Sequence, residues 1–206
     1  MLLSDAEISR FVIRDSQETR EAKGWWERGE WERVGERIII DPFSPSNLNA
    51  ISYEISVGEE WISLRDPYSV HRLAKDEPIT IAPHETILVL SEEYIALPRM
   101  VAGLIVPRAR KLFEGSTLAA TRIDPSWYGK VKVGFTNLSQ YTTSLARGEK
   151  FCTIVFVRTA QITKCLSQAE TPHLGRTTMG KPEYPSLRPA RLKSPDQVSK
   201  WGCPLG

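Results

Sequence analysis

The chain has 206 residues, 41% of them hydrophobic and 25% charged, with a formal net charge of +2. That balance fits one globular core with appendages; so small a charge does not by itself argue for nucleic acid, and no apolar run approaches the length of a membrane span. Three cysteines without a CxxC pair and three scattered histidines exclude the common zinc spacings. The widely spaced cysteines fit a reducing compartment, and the polar N-terminus is unlike a signal peptide, so a cytoplasmic protein is expected.

Ser4 followed by Glu7 matches a capping box. Ile8, Phe11 and Val12 then fall at i, i+3, i+4, one helical face, which predicts a short helix over about residues 5–14. Residues 15–37 are highly charged and carry Trp25, Trp26 and Trp31. They read as a second helix or lid, or as a helical excursion whose tryptophans pack on the main body.

From "RIIIDPF" onward the pattern changes. Short apolar or alternating runs recur between Pro, Gly, Asn and Asp: "RIIID", "ISYEISVG", "EWISL", "PITIA", "ETILVL", "EYIAL", "VAGLIVP", "KVKVGFTN", "TTSLARG" and "FCTIVFV". Strands this short and this closely spaced predict an all-β sandwich, jelly roll or barrel rather than βαβ units. "FCTIVFV" lacks alternation, which predicts burial on both faces, with Cys152 a small buried hydrophobe. In "KVKVGFTN", Val131, Val133 and Phe135 take one face; Lys130, Lys132, Gly134 and Thr136 take the other. A glycine inside a strand packs nothing and marks a bulge or a close approach.

After about residue 164 the pattern fades. Residues 171–206 hold six of the 14 prolines, and residues 158–206 hold eight Lys/Arg against three Asp/Glu. Such a tail builds no core of its own. It either drapes over the body, reaches a neighbouring subunit, or is a loose terminus.

Two clusters carry chemistry. Arg108, Arg110 and Lys111 crowd the end of "VAGLIV", and cations at a strand end suit a polyphosphate; the alternative is a solvated loop. Arg122 and Asp124 precede a Pro-containing turn. A carboxylate beside bound phosphates can act as general base, and it can equally cap the turn.

In this order, "MLLSDAEI", "IIIDPFSPSNLNAISYEISVG", "VAGLIVPRARKLFEG", "TRIDPSWYGKVKVGFTN" and "LARGEKFCTIVFV" resemble the dCTP deaminase and dUTPase superfamily, over roughly residues 1–14 and 36–160. The N-terminal helix, the "DPF" turn and the "RIDP-x-W-x-G" block place the chain nearer the deaminase branch. The resemblance implies an all-β, dUTPase-like distorted jelly roll (β-clip) with a short N-terminal helix and a helical insertion. The domain would span 1–164 with the insertion at 15–37, followed by a Pro-rich basic tail over 165–206. It implies a homotrimer with sites between subunits, a deoxypyrimidine nucleoside triphosphate, Mg2+ on its phosphates and no zinc. Nucleic acid is not an expected partner.

The resemblance also assigns residues. Arg108, Arg110, Lys111 and Arg122 would contact the nucleotide, with Ala109 standing where a phosphate-binding serine is usual. Asp124 would orient or deprotonate the attacking water. Trp127 and Tyr128 lie in the hairpin that reads the base and packs on the sugar, and Gly134 and Asn137 fall in the same nucleotide-binding block. Glu54 replaces the usual Asp and would touch the metal–water shell or a subunit contact. His173 and Arg176 lie where the family's C-terminus closes over nucleotide. Gly134 occupies the position of the deaminase branch's proton-shuttling glutamate, so its face is expected to look into a pocket lacking that acid. Three functions follow: a pyrophosphohydrolase using Asp124, a dCTP deaminase with a replaced general base, and a non-catalytic nucleotide-binding sensor or scaffold.

Overall fold

A computed structural model describes residues 1–74 and 77–160. Three helices open the chain, α1 (Asp5–Phe11), α2 (Ser16–Glu27) and α3 (Trp31–Val34). Strands β1 (Ile39–Asp41), β2 (Leu48–Asn49), β3 (Ser52–Ser63), β4 (His71–Arg72), β5 (Pro78–Ile81), β6 (Thr86–Ala96) and β7 (Val101–Pro107) follow. After α4 (Ala109–Phe113) come β8 (Ser116–Ala119), β9 (Arg122–Ile123), β10 (Tyr128–Asn137), β11 (Thr143–Ala146) and β12 (Lys150–Arg158). Residues 161–206, with His173, Arg176 and all of the predicted tail, lie outside the described residues.

The expected all-β architecture is present. One antiparallel sheet runs in the order β8-β10-β6-β3-β12-β7-β9, and β5 pairs separately with β11. β3 joins the two halves: Ser52–Ser56 pair with β12, and Val57–Ser63 pair with β6. The sheet thereby curls around a core of Tyr53, Ile55, Val57, Val89, Val133, Phe135, Phe151, Ile154 and Phe156. No helix among the described residues is long and apolar enough to cross a membrane.

At the N-terminus the capping box forms as read. Glu7 N–H donates to Ser4 Oγ at 3.3 Å, and Ser4 N–H donates to the Glu7 carboxylate at 2.9 Å. The helix stops at Phe11, three residues short of the expected end. Val12 turns extended and bridges to Ile38, so pairing with the body overrides helical propensity. The insertion packs on the body. Asp15 caps α2 by accepting from Gln17 and Glu18 N–H, and Trp26, only 1% exposed, lies 6.1 Å from the Tyr128 ring among Ile13, Ala22, Val34, Ile39 and Tyr94.

Two corrections concern strand length. "ISYEISVG" and "EWISL" are one strand, β3; "ETILVL" and "EYIAL" are another, β6. Gly58-Glu59-Glu60 and Ser91-Glu92-Glu93 resemble turns in sequence, yet here the register of the β3–β6 pair shifts between Val57 and Trp61. The bulge is held by buried polar groups. Ser91 Oγ accepts from Val131 N–H at 2.8 Å, and both Glu93 oxygens accept from Ser56 N–H at 3.0 and 3.3 Å. Burial pushes the Glu93 carboxyl above the ordinary carboxylate range, with Ser56 N–H opposing the shift.

A third correction concerns β12, which does alternate. Phe151, Cys152, Ile154 and Phe156 are buried, while Val155 and Val157 are half-buried on the outer face. Cys152 is the expected inert hydrophobe, its thiol pushed far up by burial.

Candidate functional site

The loop expected after β7 contains the short helix α4, and this changes what its cations meet. Lys111 is buried: Nζ lies 3.0 Å from Glu114 and 2.6 Å from Glu149. Arg110 points outward and pairs with Glu114 at 2.9 Å. These hydrogen bonds, from Lys111 first and Arg110 second, hold the Glu114 carboxyl below its usual range. Of the two loop cations expected to meet phosphate, Lys111 is thus engaged inside the fold while Arg110 stays exposed. α4 turns Lys111 inward, where a buried cation requires carboxylate partners.

Arg108 is held differently. Its guanidinium lies 2.8 Å from Glu54 and donates to the Lys150 carbonyl at 2.8 Å. The Lys150 ammonium lies 2.8 Å from the other Glu54 oxygen. Lys150 was not singled out in the sequence; the local signal was a lysine opening the strand after "LARGE". Glu54 thus faces two cations rather than an open metal shell. Among the described residues no group of three His, Cys, Asp or Glu side chains is placed to hold a metal ion.

The second cluster stands at the "RIDP" turn. Trp127 N–H donates to the Asp124 carbonyl at 3.1 Å, closing a turn with Pro125 second and Ser126 third. Ser126 sits at φ 68°, a left-handed conformation that a type II turn demands at that place and that a non-glycine residue adopts at some cost. The Asp124 carboxylate is 39% exposed and lies 2.6 Å from the exposed Arg122 guanidinium. Trp127 packs against the main core, and Tyr128 is buried beside Trp26 and Tyr94. The Tyr128 ring is thus directed into the fold, because the insertion covers it.

Two further assignments meet a different environment. Asn137 is fully buried, and its amide donates to the Ile81, Ala82 and Tyr141 carbonyls while accepting from Ser139 N–H. It ties the β10–β11 turn to the end of β5, and its side-chain amide is engaged within the fold. Gly134 does not border open space. It pairs with Ala119 of β8, and a Cβ placed on it would stand 2.8 Å from the Ala119 Cβ and 3.0 Å from the Ala119 carbonyl oxygen. The glycine permits a close strand approach, which is the reason for its place in β10.

The two clusters are apart within one chain. Ile123 is opposite Gly103, so Asp124 lies near the start of β7, whereas Arg108 follows its end. Six strand residues separate these levels, about 20 Å. Between them, beside Arg122 and Thr153, the outer face carries an apolar stripe: Val155 pairs with Leu104, which is 43% exposed, and Val157 pairs with Ala102.

Comparison with known proteins agrees with this architecture. Residues 29–159 match the family model described as dCTP deaminase-like. A Pyrococcus horikoshii protein named dCTP deaminase is 31% identical over 126 residues, covering 61% of this chain and 79% of that one. The crystal structure of 2'-deoxycytidine 5'-triphosphate deaminase from Agrobacterium tumefaciens superposes with a TM-score of 0.53 at 12% identity. That alignment covers 77% of this chain and 48% of that chain, a likeness of fold.

Proposed function

Because the chain belongs to the dCTP deaminase-like family, we propose that it processes deoxypyrimidine nucleoside triphosphates as a pyrophosphohydrolase. The observation that carries this choice is the contrast between two positions. At 124 an exposed carboxylate is held by Arg122; at 134, where the deaminase branch has its glutamate by resemblance, a glycine lies against Ala119. Hydrolysis needs a group that orients water and accepts its proton, and Asp124 is suited to that. Ring deamination needs an acid–base group beside the pyrimidine, and glycine supplies none.

In the proposed reaction Asp124 takes a proton from water as its oxygen forms a bond to phosphorus, and the broken P–O bond releases pyrophosphate and leaves the nucleoside monophosphate. Arg122 fixes the carboxylate in place. Mg2+, when bound on the triphosphate, would supply charge neutralisation there; with no three-ligand cluster among the described residues, it fits as an ion carried by the phosphates. The test is pyrophosphate release from dUTP and dCTP in the presence of Mg2+. Nucleotide that raises the melting temperature without being turned over favours the non-catalytic binder instead.

Gly134→Glu separates hydrolysis from deamination. Its side chain must displace Ala119 backbone and Cβ, an overpacking that costs about 1–3 kcal/mol. The variant is expected to melt lower than wild type and to release no ammonia from dCTP. Ammonia release at an unchanged melting temperature would refute the closed geometry.

The separation of Asp124 from Arg108 supports a site shared between copies, and the apolar stripe of Leu104, Val155 and Val157 is the face proposed to build the homotrimer. Leu104→Asp puts a charge into that contact and is expected to drop the mass measured by light scattering from three chains to one. A single-chain mass for the wild type would end the shared-site proposal.

A further inference from the structure

Glu54 does more than neutralise a neighbour. Its two oxygens are divided between two cations, Oε1 at 2.8 Å from Arg108 Nη2 and Oε2 at 2.8 Å from Lys150 Nζ. The carboxylate is 13% exposed, and its partners are 28% and 31% exposed. Each cation also meets a carbonyl. Arg108 Nη1 donates to Lys150 O at 2.8 Å, and Lys150 Nζ donates to Ser46 O at 3.3 Å. Glu54 is anchored on the outer face of β3, opposite Thr153 of β12, and its own carbonyl accepts from the Asn47 amide. Two cations on one carboxylate, prepositioned by carbonyls, form a seat for a bidentate oxyanion. That seat is filled from within.

We infer that Glu54 is a built-in competitor for the polyphosphate of the ligand. It occupies Arg108 and Lys150, and an incoming phosphate gains those two contacts only by displacing it. This makes Glu54 a specificity-determining residue of the site proposed above, on whose reading the inference rests. The length of the side chain matters. Aspartate, the residue usual for the family at this position by resemblance, ends one methylene short of the point from which Glu54 meets both cations. The remaining cations of the loop do not compensate, because Arg110 and Lys111 share Glu114, and Lys111 also holds Glu149.

The experiment is a calorimetric titration of the full-length protein with inorganic tripolyphosphate, which carries the phosphate chemistry without base or sugar. Glu54→Gln removes the competing charge and is expected to bind at least tenfold tighter than wild type, with a steeper loss of affinity as salt is raised. Glu54→Asp keeps the charge, guards against a folding defect in the first variant, and is expected to fall between the two. Glu30→Gln removes a charge that pairs with Arg28 and Arg33 and touches no cation of the loop, and is expected to change affinity less than about threefold. Equal or weaker binding by both Glu54 variants, no binding by any protein, or an equal gain from Glu30→Gln would each overturn the inference. Pyrophosphate release from dUTP is measured in parallel. A gain in tripolyphosphate affinity without any turnover sinks the hydrolase and leaves the competitor standing; turnover with no gain sinks the competitor alone.

Discussion

Replacing Asp124 by Asn is expected to reduce pyrophosphate release by roughly 10²–10⁴-fold, the usual contribution of a positioned general base. The substitution keeps the shape of the side chain. Asn can still accept from the Arg122 guanidinium through its oxygen, but it cannot take a proton from water. The exposed Arg122–Asp124 pair contributes little to folding, since exposed pairs are worth about 0–1 kcal/mol. Melting temperature is therefore expected to stay within a few degrees of wild type while turnover collapses. A variant that retains more than about a tenth of wild-type turnover would remove Asp124 from the chemistry. The Arg122→Ala variant adds the complementary measurement. Arg122 touches the carboxylate and positions it, so its loss is expected to lower turnover while the melting temperature stays within a few degrees of wild type. A purely structural role would lower the melting temperature as well.

The division between what the sequence disclosed and what it hid follows the range of the interactions. The Ser4–Glu7 box was legible because both partners sit within one turn. The alternation of Val131, Val133 and Phe135 was legible because strand parity is local, and all three are buried. The "DPSW" turn was legible through Pro125. The two long strands were missed because Glu93 reads as a surface residue, and what buries it, Ser56 N–H, lies 37 positions earlier. Asn137 looked available for ligand because two of its three carbonyl partners lie 55 and 56 positions away. The same holds for the cations. "PRARK" discloses their charge, but the carboxylates that claim Arg108 and Lys111 arrive from β3 and from the turn before β12. Position 134 is the instructive case. The sequence showed correctly that no acid stands there. It could not show that Ala119 lies against the place where the side chain would be.

Gly58→Ala is expected to destabilise the fold by about 3 kcal/mol, the upper part of the range for overpacked interiors. With about 2–4 °C per kcal/mol for a chain of this size, the melting temperature should fall by roughly 6–12 °C. The cause is contact and not backbone conformation. A Cβ at 58 would meet the carbonyl oxygens of Leu90 and Ser91, each at 2.6 Å, and the Ser91 carbonyl carbon at 2.8 Å. None of these is a flexible side chain that can swing aside. They are the backbone of β6 at the point where β3 shifts register, and moving them pulls on Ser91 Oγ, which holds Val131 N–H, and on Glu93, which holds Ser56 N–H. Gly35 is the contrasting site. It has φ 67° and nothing within 4 Å of a built Cβ, so Gly35→Ala meets only the left-handed backbone penalty of about 1–2 kcal/mol. Thermal melts of the two variants should therefore rank Gly58→Ala well below Gly35→Ala. The reverse order would mean that the bulge yields to a methyl group, and that β3 and β6 are not locked where the two halves of the sheet meet.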